Sequence, residues 1–210
     1  MCYTFIRIEV FSVGRKKKEE IIKEQEITVK QLYRAYTFLL CALLMFLYSA
    51  RQIFVDYDAV KISVMSALFP TVYFLSCAIN KDLGYKEGVK AVIISTIVLL
   101  TYGSLTNYFI TGSFEITSII SIGLGYFMTQ SVCLSIYNFF LVNTRLPIFI
   151  VIVNYMFCCL IFNMIYMLFN YRGAMTDSFW LEYALLVLIQ TVFAIVLGIM
   201  DSAIERGIDN

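Results

Sequence analysis

The placement of charge is the feature that most narrows what this chain can fold into. Sixteen basic and 15 acidic residues crowd into short stretches, and long uncharged runs separate them. The runs bounded by Arg34 and Arg51, Lys61 and Lys81, Lys90 and Glu115, Glu115 and Arg145, Arg145 and Arg172, and Glu182 and Asp201 hold 16, 19, 24, 29, 26 and 18 residues. A helix needs about 20 apolar residues to cross a bilayer, and arginines flanking a short run can snorkel to the headgroups. Barrel strands would instead alternate over about ten residues, whereas these runs are continuous. The expected fold class is therefore all-α, an integral membrane bundle of six transmembrane helices near 33–52, 61–80, 90–110, 116–140, 147–170 and 181–200. They make a domain over 32–202, with a charged segment 1–31 before it and a tail 203–210 after it. Trp180, Tyr102, Tyr108 and Tyr171 fall near the expected ends, where interfacial aromatics collect.

Composition points the same way. The chain is 60% hydrophobic and 15% charged, with a mean hydropathy of +0.81. Soluble domains run about 45–50% apolar and about 25% charged, so lipid must cover what polar side chains cannot. A net charge of +1 gives no case for nucleic acid. Lysine and arginine are distributed unevenly about the spans. With the N-terminus inside, 13 of 16 lie on the inner side, in the N-terminal tail, at Lys81, Lys86 and Lys90, at Arg145 and at Arg206. Arg51, Lys61 and Arg172 lie outside. By the positive-inside rule both termini are cytoplasmic, in a multi-pass protein of the cell inner (cytoplasmic) membrane. Residues 1–14 carry Arg7 and Glu9 and lack the apolar core of a signal peptide. Residues 16–30 read as a charged helix lying at the cytoplasmic surface or, equally, as a solvated tail.

The available chemistry is narrow. Histidine is absent, which removes the usual base for serine or cysteine nucleophiles and the imidazole metal ligands. No two carboxylates are placed to share acid–base work. The six cysteines include no CxxC pair, and all but Cys2 lie in apolar runs, where thiols act as small hydrophobes. No enzyme activity, cofactor or metal is expected. The spans carry neutral polarity instead. On the fifth, Tyr155, Cys159, Asn163, Tyr166 and Asn170 recur at helical spacing; on the fourth Gln130, Cys133 and Tyr137 do, with Gly123 and Tyr126 above. On the third, Thr96, Gly103 and Asn107 line up. Such side chains turn inward, as interhelical glue or around a cavity. Amides and tyrosines suit a flat uncharged heterocycle, pairing with its edge and stacking on its face.

Residues 69–92, FPTVYFLSCAINKDLGYKEGVKAV, resemble the signature of the queuosine precursor transporter (VUT) family, with Phe69, Pro70, Tyr73, Gly84, Tyr85 and Lys86 in register. Residues 121–137 look like its fourth-helix pattern around a glutamine, here Gln130, and residues 154–167 stand where its fifth-helix stretch does. The specific motif is confined to 69–86. The chain departs from the family at its intramembrane acids, which are Cys77, Lys81 (beside Asp82), Cys133 and Asn163 here, so the resemblance implies a divergent member. It implies uptake of a small heterocycle, of the 7-deazaguanine class or a related nucleobase-like compound, by alternating access around a midplane site. Tyr73, Gln130 and Asn163 are the expected substrate contacts, with Asn107 and Tyr166 as second choices. Beyond lipid and substrate, the partners left open are a second copy of the chain or an energising protein. The rival expectation is a non-transporting membrane subunit or anchor for a partner complex, docked through the basic N-terminal segment. Pro70 is expected to kink its helix and free a backbone carbonyl, tolerable only beside a cavity or partner.

Overall fold

The computed structural model describes residues 15–50, 53–57, 60–112, 116–143, 148–170 and 177–208. Residues 1–14, Arg51, Asp58, Glu115, Arg145, Pro147, Tyr171 and Arg172 lie outside the described residues, as do the side chains of 15–25, Asp56, Lys61, Asn170, Asp201 and Arg206.

Seven helices and one hairpin follow in order: α1 (Arg15–Ser49), β1 (Phe54–Tyr57), β2 (Val60–Ser63), α2 (Val64–Leu68), α3 (Pro70–Leu83), α4 (Tyr85–Thr111), α5 (Ile116–Asn143), α6 (Ile148–Asn170) and α7 (Asp177–Ile208). Five of these, α1 and α4 to α7, are long and apolar enough to cross a membrane. Their outward faces are strongly apolar. Phe38, Phe109 and Phe149 are 73%, 79% and 70% exposed, while six amides, Asn80, Asn107, Gln130, Asn154, Asn163 and Gln190, are buried. A water-soluble bundle would be arranged the other way round, so the chain is a multi-pass helical membrane protein.

Two expectations need correction. Helix was expected from residue 61, yet Val60–Ser63 is a strand paired antiparallel with Phe54–Tyr57, in the register Val55↔Ile62 and Asp56↔Lys61. Both strands are rich in β-branched and aromatic residues, which favour a pleated pair over a helix. The Ile53 N–H donates to the C=O of Ala50, just past the end of α1, and the Val64 N–H closes the base of the hairpin on Ile53 C=O, each at 3.0 Å. The second span is also not one helix. It breaks at Phe69 into five residues of α2 and 14 of α3, because Pro70 has no N–H to continue the ladder and takes the first position of a new helix. The charged stretch 16–30 is helical and continuous with the first span; α1 has 35 residues, about 52 Å at 1.5 Å per residue. The boundary expected at residue 32 thus falls inside one helix.

Glycine is required at two positions, one for its backbone angle and one for a close approach. Gly84, at φ +95°, turns the chain from α3 directly into α4 with a single residue between them. Gly103 on α4 lets the Tyr48 ring of α1 lie against the backbone: a Cβ there would stand 3.0 Å from that ring, and the Tyr48 hydroxyl donates to Gly103 C=O at 3.2 Å.

Candidate functional site

Contacts in the bundle core fix how the helices run. Ser76 meets Gln130, Cys77 meets Cys133, and Asn80 meets Leu134. Both numbers rise together, so α3 and α5 are parallel. Phe69 meets Phe162 and Tyr73 meets Cys158; here one number rises as the other falls, so α6 is antiparallel to α3. The core can therefore be followed in layers from the hairpin end to the Gly84 end.

The first layer is an amide network. Asn163 Nδ2 donates to Gln190 Oε1 at 2.6 Å, and Gln190 Nε2 donates back to Asn163 Oδ1 at 3.2 Å. Gln190 Nε2 also donates to the Ser66 carbonyl at 2.5 Å. Ser66 is four residues before Pro70, so its carbonyl is the one that would accept from a residue-70 N–H in the helix ladder. Gln190 supplies the missing donor from across the bundle, while the Phe69 N–H adds a longer 3.3 Å bond. The Thr71 hydroxyl does the same for Leu68 C=O at 2.6 Å. The break is thus satisfied by side chains, as a membrane interior requires.

The second layer is aromatic. Phe69, at the break, lies face to face with Phe162, with centroids 3.7 Å apart and planes 12° apart. Tyr166 continues the column on the α6 side at 5.9 Å and 8°. Tyr73 and Tyr126 turn their edges to Phe69 at 5.5 and 6.2 Å. Tyr126 is held by Ser95 of α4 at 2.7 Å, and Tyr73 donates to Cys158 C=O at 3.3 Å.

The third layer, one turn further along α5, is polar again. Ser76 donates to Gln130 Oε1 at 2.5 Å and is fully buried, as is Gln130. The Gln130 Nε2 group has no hydrogen-bond partner among the described residues. Beyond it, the Cys77 and Cys133 sulfurs are 3.7 Å apart, and Asn154 Nδ2 reaches Cys133 Sγ at 3.4 Å and its carbonyl at 3.2 Å. Asn80 Oδ1, one turn beyond Ser76, is also without a partner, while its Nδ2 lies 3.5 Å from Leu134 C=O. Among the described residues no three histidine, cysteine or acidic side chains are grouped so as to hold a metal ion.

Of the five residues singled out in the sequence, Tyr73 and Tyr166 touch the Phe69–Phe162 pair, while Gln130 bonds Ser76, one turn along α3 from Tyr73, and Asn163 pairs with Gln190. Asn107 does not join them. Ser95 on α4 lies level with Tyr126, and Asn107 is 12 residues further on, about 18 Å along the helix at 1.5 Å per residue. Phe69, Phe162, Ser76, Asn154 and Gln190 were not singled out as contacts. Gln190 had a signal, being the one amide within the 18-residue uncharged run of the last span. Phe69 stood beside Pro70 in the motif. Phe162 had none, since one phenylalanine among many in an apolar run carries no mark.

No protein-family model matches the chain, and searches of curated proteins and of solved structures found no match.

Proposed function

We propose that the chain is a membrane transporter for a small planar heterocycle, a queuosine precursor of the 7-deazaguanine class or a related nucleobase-like compound. The observation that carries this reading is the buried Gln130 amide. Its oxygen is engaged by Ser76, while its two N–H donors have no acceptor among the described residues. An unpaired buried donor costs about 1–3 kcal/mol, and more in a bilayer interior. A side chain that served only to hold helices together would be paired on both ends. Gln130 sits one turn along α5 from Tyr126, which is edge-on to Phe69, and a carbonyl on the edge of a flat heterocycle would accept from it. The resemblance carried by Phe69, Pro70, Tyr73, Gly84, Tyr85 and Lys86 supports the same substrate class.

In this reading α2 and α3 together form the sixth crossing, both termini are cytoplasmic, and the protein resides in the inner membrane. The broken α2–α3 helix lines the midplane site, as discontinuous helices do in alternating-access transporters. Tyr73 and Tyr166 frame the ligand with Gln130, and Asn163 contributes when its pairing with Gln190 is exchanged for the ligand.

The experiment is uptake of labelled 7-deazaguanine into liposomes that contain only the purified protein. Wild type is expected to load the vesicles and Gln130→Leu to fail while eluting as a folded species. A wild type that loads no more than empty vesicles would sink the reading. It would favour the anchor alternative, whose support is α1, longer by about 20 Å than the roughly 30 Å of hydrocarbon it has to cross.

A further inference from the structure

Two aromatic faces at the centre of the bundle are spent on each other. Phe69 and Phe162 have centroids 3.7 Å apart and nearly parallel planes. Ring carbons approach no closer than about 3.5 Å, so the lateral offset is only about 1 Å and the rings overlap almost fully. Full overlap sets the negative faces of both rings against each other, and aromatic pairs prefer an offset or an edge-on approach. The other contacts of Phe69, with Tyr73 and Tyr126, are edge-on. The pair is therefore the least favourable aromatic contact in its own cluster.

The two rings also sit on backbones of different stiffness. Phe162 lies mid-way along α6, with Tyr166 stacked behind it and the Gly125 backbone of α5 at its edge; a Cβ on Gly125 would come within 3.3 Å of the ring. It is braced. Phe69 is the single residue between α2 and α3. Its carbonyl accepts from Val72 at 3.0 Å and its N–H makes only the 3.3 Å bond to Ser66. Regular i→i+4 bonding lapses here because Pro70 cannot donate. Gln190 meanwhile anchors Ser66, on the far side of the break. Rotation at Phe69 can thus move its ring while α2 stays pinned to α7.

We infer that Phe69 and Phe162 are the two walls of a closed intercalation slot, which opens at the Pro70 break to take a planar aromatic heterocycle between them. This rests on the transport reading above and adds to it the residues that select for planarity. A ring inserted between the two needs a contact distance on each face, so the walls part from 3.7 Å to about 7–8 Å. Each face then gains an offset stacked partner, the arrangement that aromatic pairs prefer over full overlap. Gln130, one turn towards the Gly84 end, meets the ligand edge. Recognition divides into planarity read by Phe69 and Phe162, and hydrogen bonding read by Gln130.

The test uses purified full-length protein in detergent and two probes, 7-deazaguanine and a ring-reduced, puckered analogue with the same carbonyl and N–H edge. Base–aromatic stacking by one side chain is worth about 5- to 150-fold in affinity. Wild type is expected to bind the planar probe at least 10-fold tighter than the puckered one. Phe69→Met and Phe162→Met, similar in volume but without a ring face, should each weaken planar binding by about 10-fold or more and leave puckered binding unchanged. Equal wild-type affinity for both probes overturns the slot, and so do variants that bind the planar probe as wild type does. In either case Gln130→Leu still reports on the transport reading: lost binding there keeps that reading without the slot. If wild type neither binds nor takes up the planar probe, both fall. Should the variants fail to fold, the wild-type comparison of planar and puckered probes decides alone.

Discussion

The Pro70 break and Gln190 make a quantitative pair. Gln190→Leu removes three hydrogen bonds, at 2.6, 3.2 and 2.5 Å, to Asn163 and the Ser66 carbonyl. Side-chain hydrogen bonds in membrane bundles average about 0.6 kcal/mol, so the loss is about 2 kcal/mol. For a chain of this size that lowers Tm by about 4–8 °C. Asn163→Leu removes two of the three and leaves Ser66 bonded, so its cost should be smaller, about 1 kcal/mol. The decisive step is Pro70→Ala. It returns an N–H to residue 70, which can close on Ser66 C=O as in an ordinary helix. In the Pro70→Ala background the Ser66 carbonyl no longer depends on Gln190. The cost of Gln190→Leu should then fall by the value of that one bond, about 0.6–1.7 kcal/mol. Thermal unfolding of the four proteins in one detergent measures the cycle. Additivity of the two substitutions, or a larger loss from Asn163→Leu than from Gln190→Leu, would refute the claim that Gln190 replaces the proline's missing donor.

Reporter fusions at Asn210 and within 171–180 are expected to report opposite sides of the membrane, with Asn210 cytoplasmic; the same side for both would remove the six-crossing arrangement. Uptake is expected to be nearly flat between pH 6 and pH 8 (about the range in which only histidine ordinarily titrates), because the chain has no histidine. Loss of uptake on dissipating only the proton gradient would count against this. Gly103→Val should lower Tm by about 2–10 °C, since it drives a branched side chain into the Tyr48 ring 3.0 Å from the new Cβ, an overpacking cost of about 1–3 kcal/mol; an unchanged Tm would mean that α1 and α4 separate freely there.

Much of this architecture is legible in charge spacing because a bilayer sets helix length directly. Runs of 24, 29, 26 and 18 uncharged residues became α4 to α7. The second run misled because counting uncharged residues measures length and not conformation. It places Val60–Ser63 beside a helix without showing that FVDY, just upstream, is its strand partner. Pro70 does announce the freed carbonyl, but not what satisfies it. Gln190 lies 124 residues from Ser66, and helical periodicity says nothing about which helix a face meets. The same limit governs Asn163. Its face could be read from spacing, while the amide opposite it, on the next helix, could not.

The interior that these contacts build is neutral throughout. Every buried polar side chain among the described residues is a hydroxyl or an amide, and the acids and bases lie elsewhere. Two of the positions where the resembling family carries acids, Cys77 and Cys133, prove to be in contact at 3.7 Å. Two carboxylates so close could not both be charged, and would trade a proton as they titrated. Two thiols have no such constraint, and Asn154 already donates to one of them. A cargo carrying a net charge would meet no counter-ion along this core and would bear the full desolvation cost. A neutral one meets aromatic faces for its plane and the Gln130 donors for its edge. In the transport reading a neutral core of this kind suits a cargo in its neutral form, and it offers no buried acid or base, among the described residues, through which a proton gradient would be coupled.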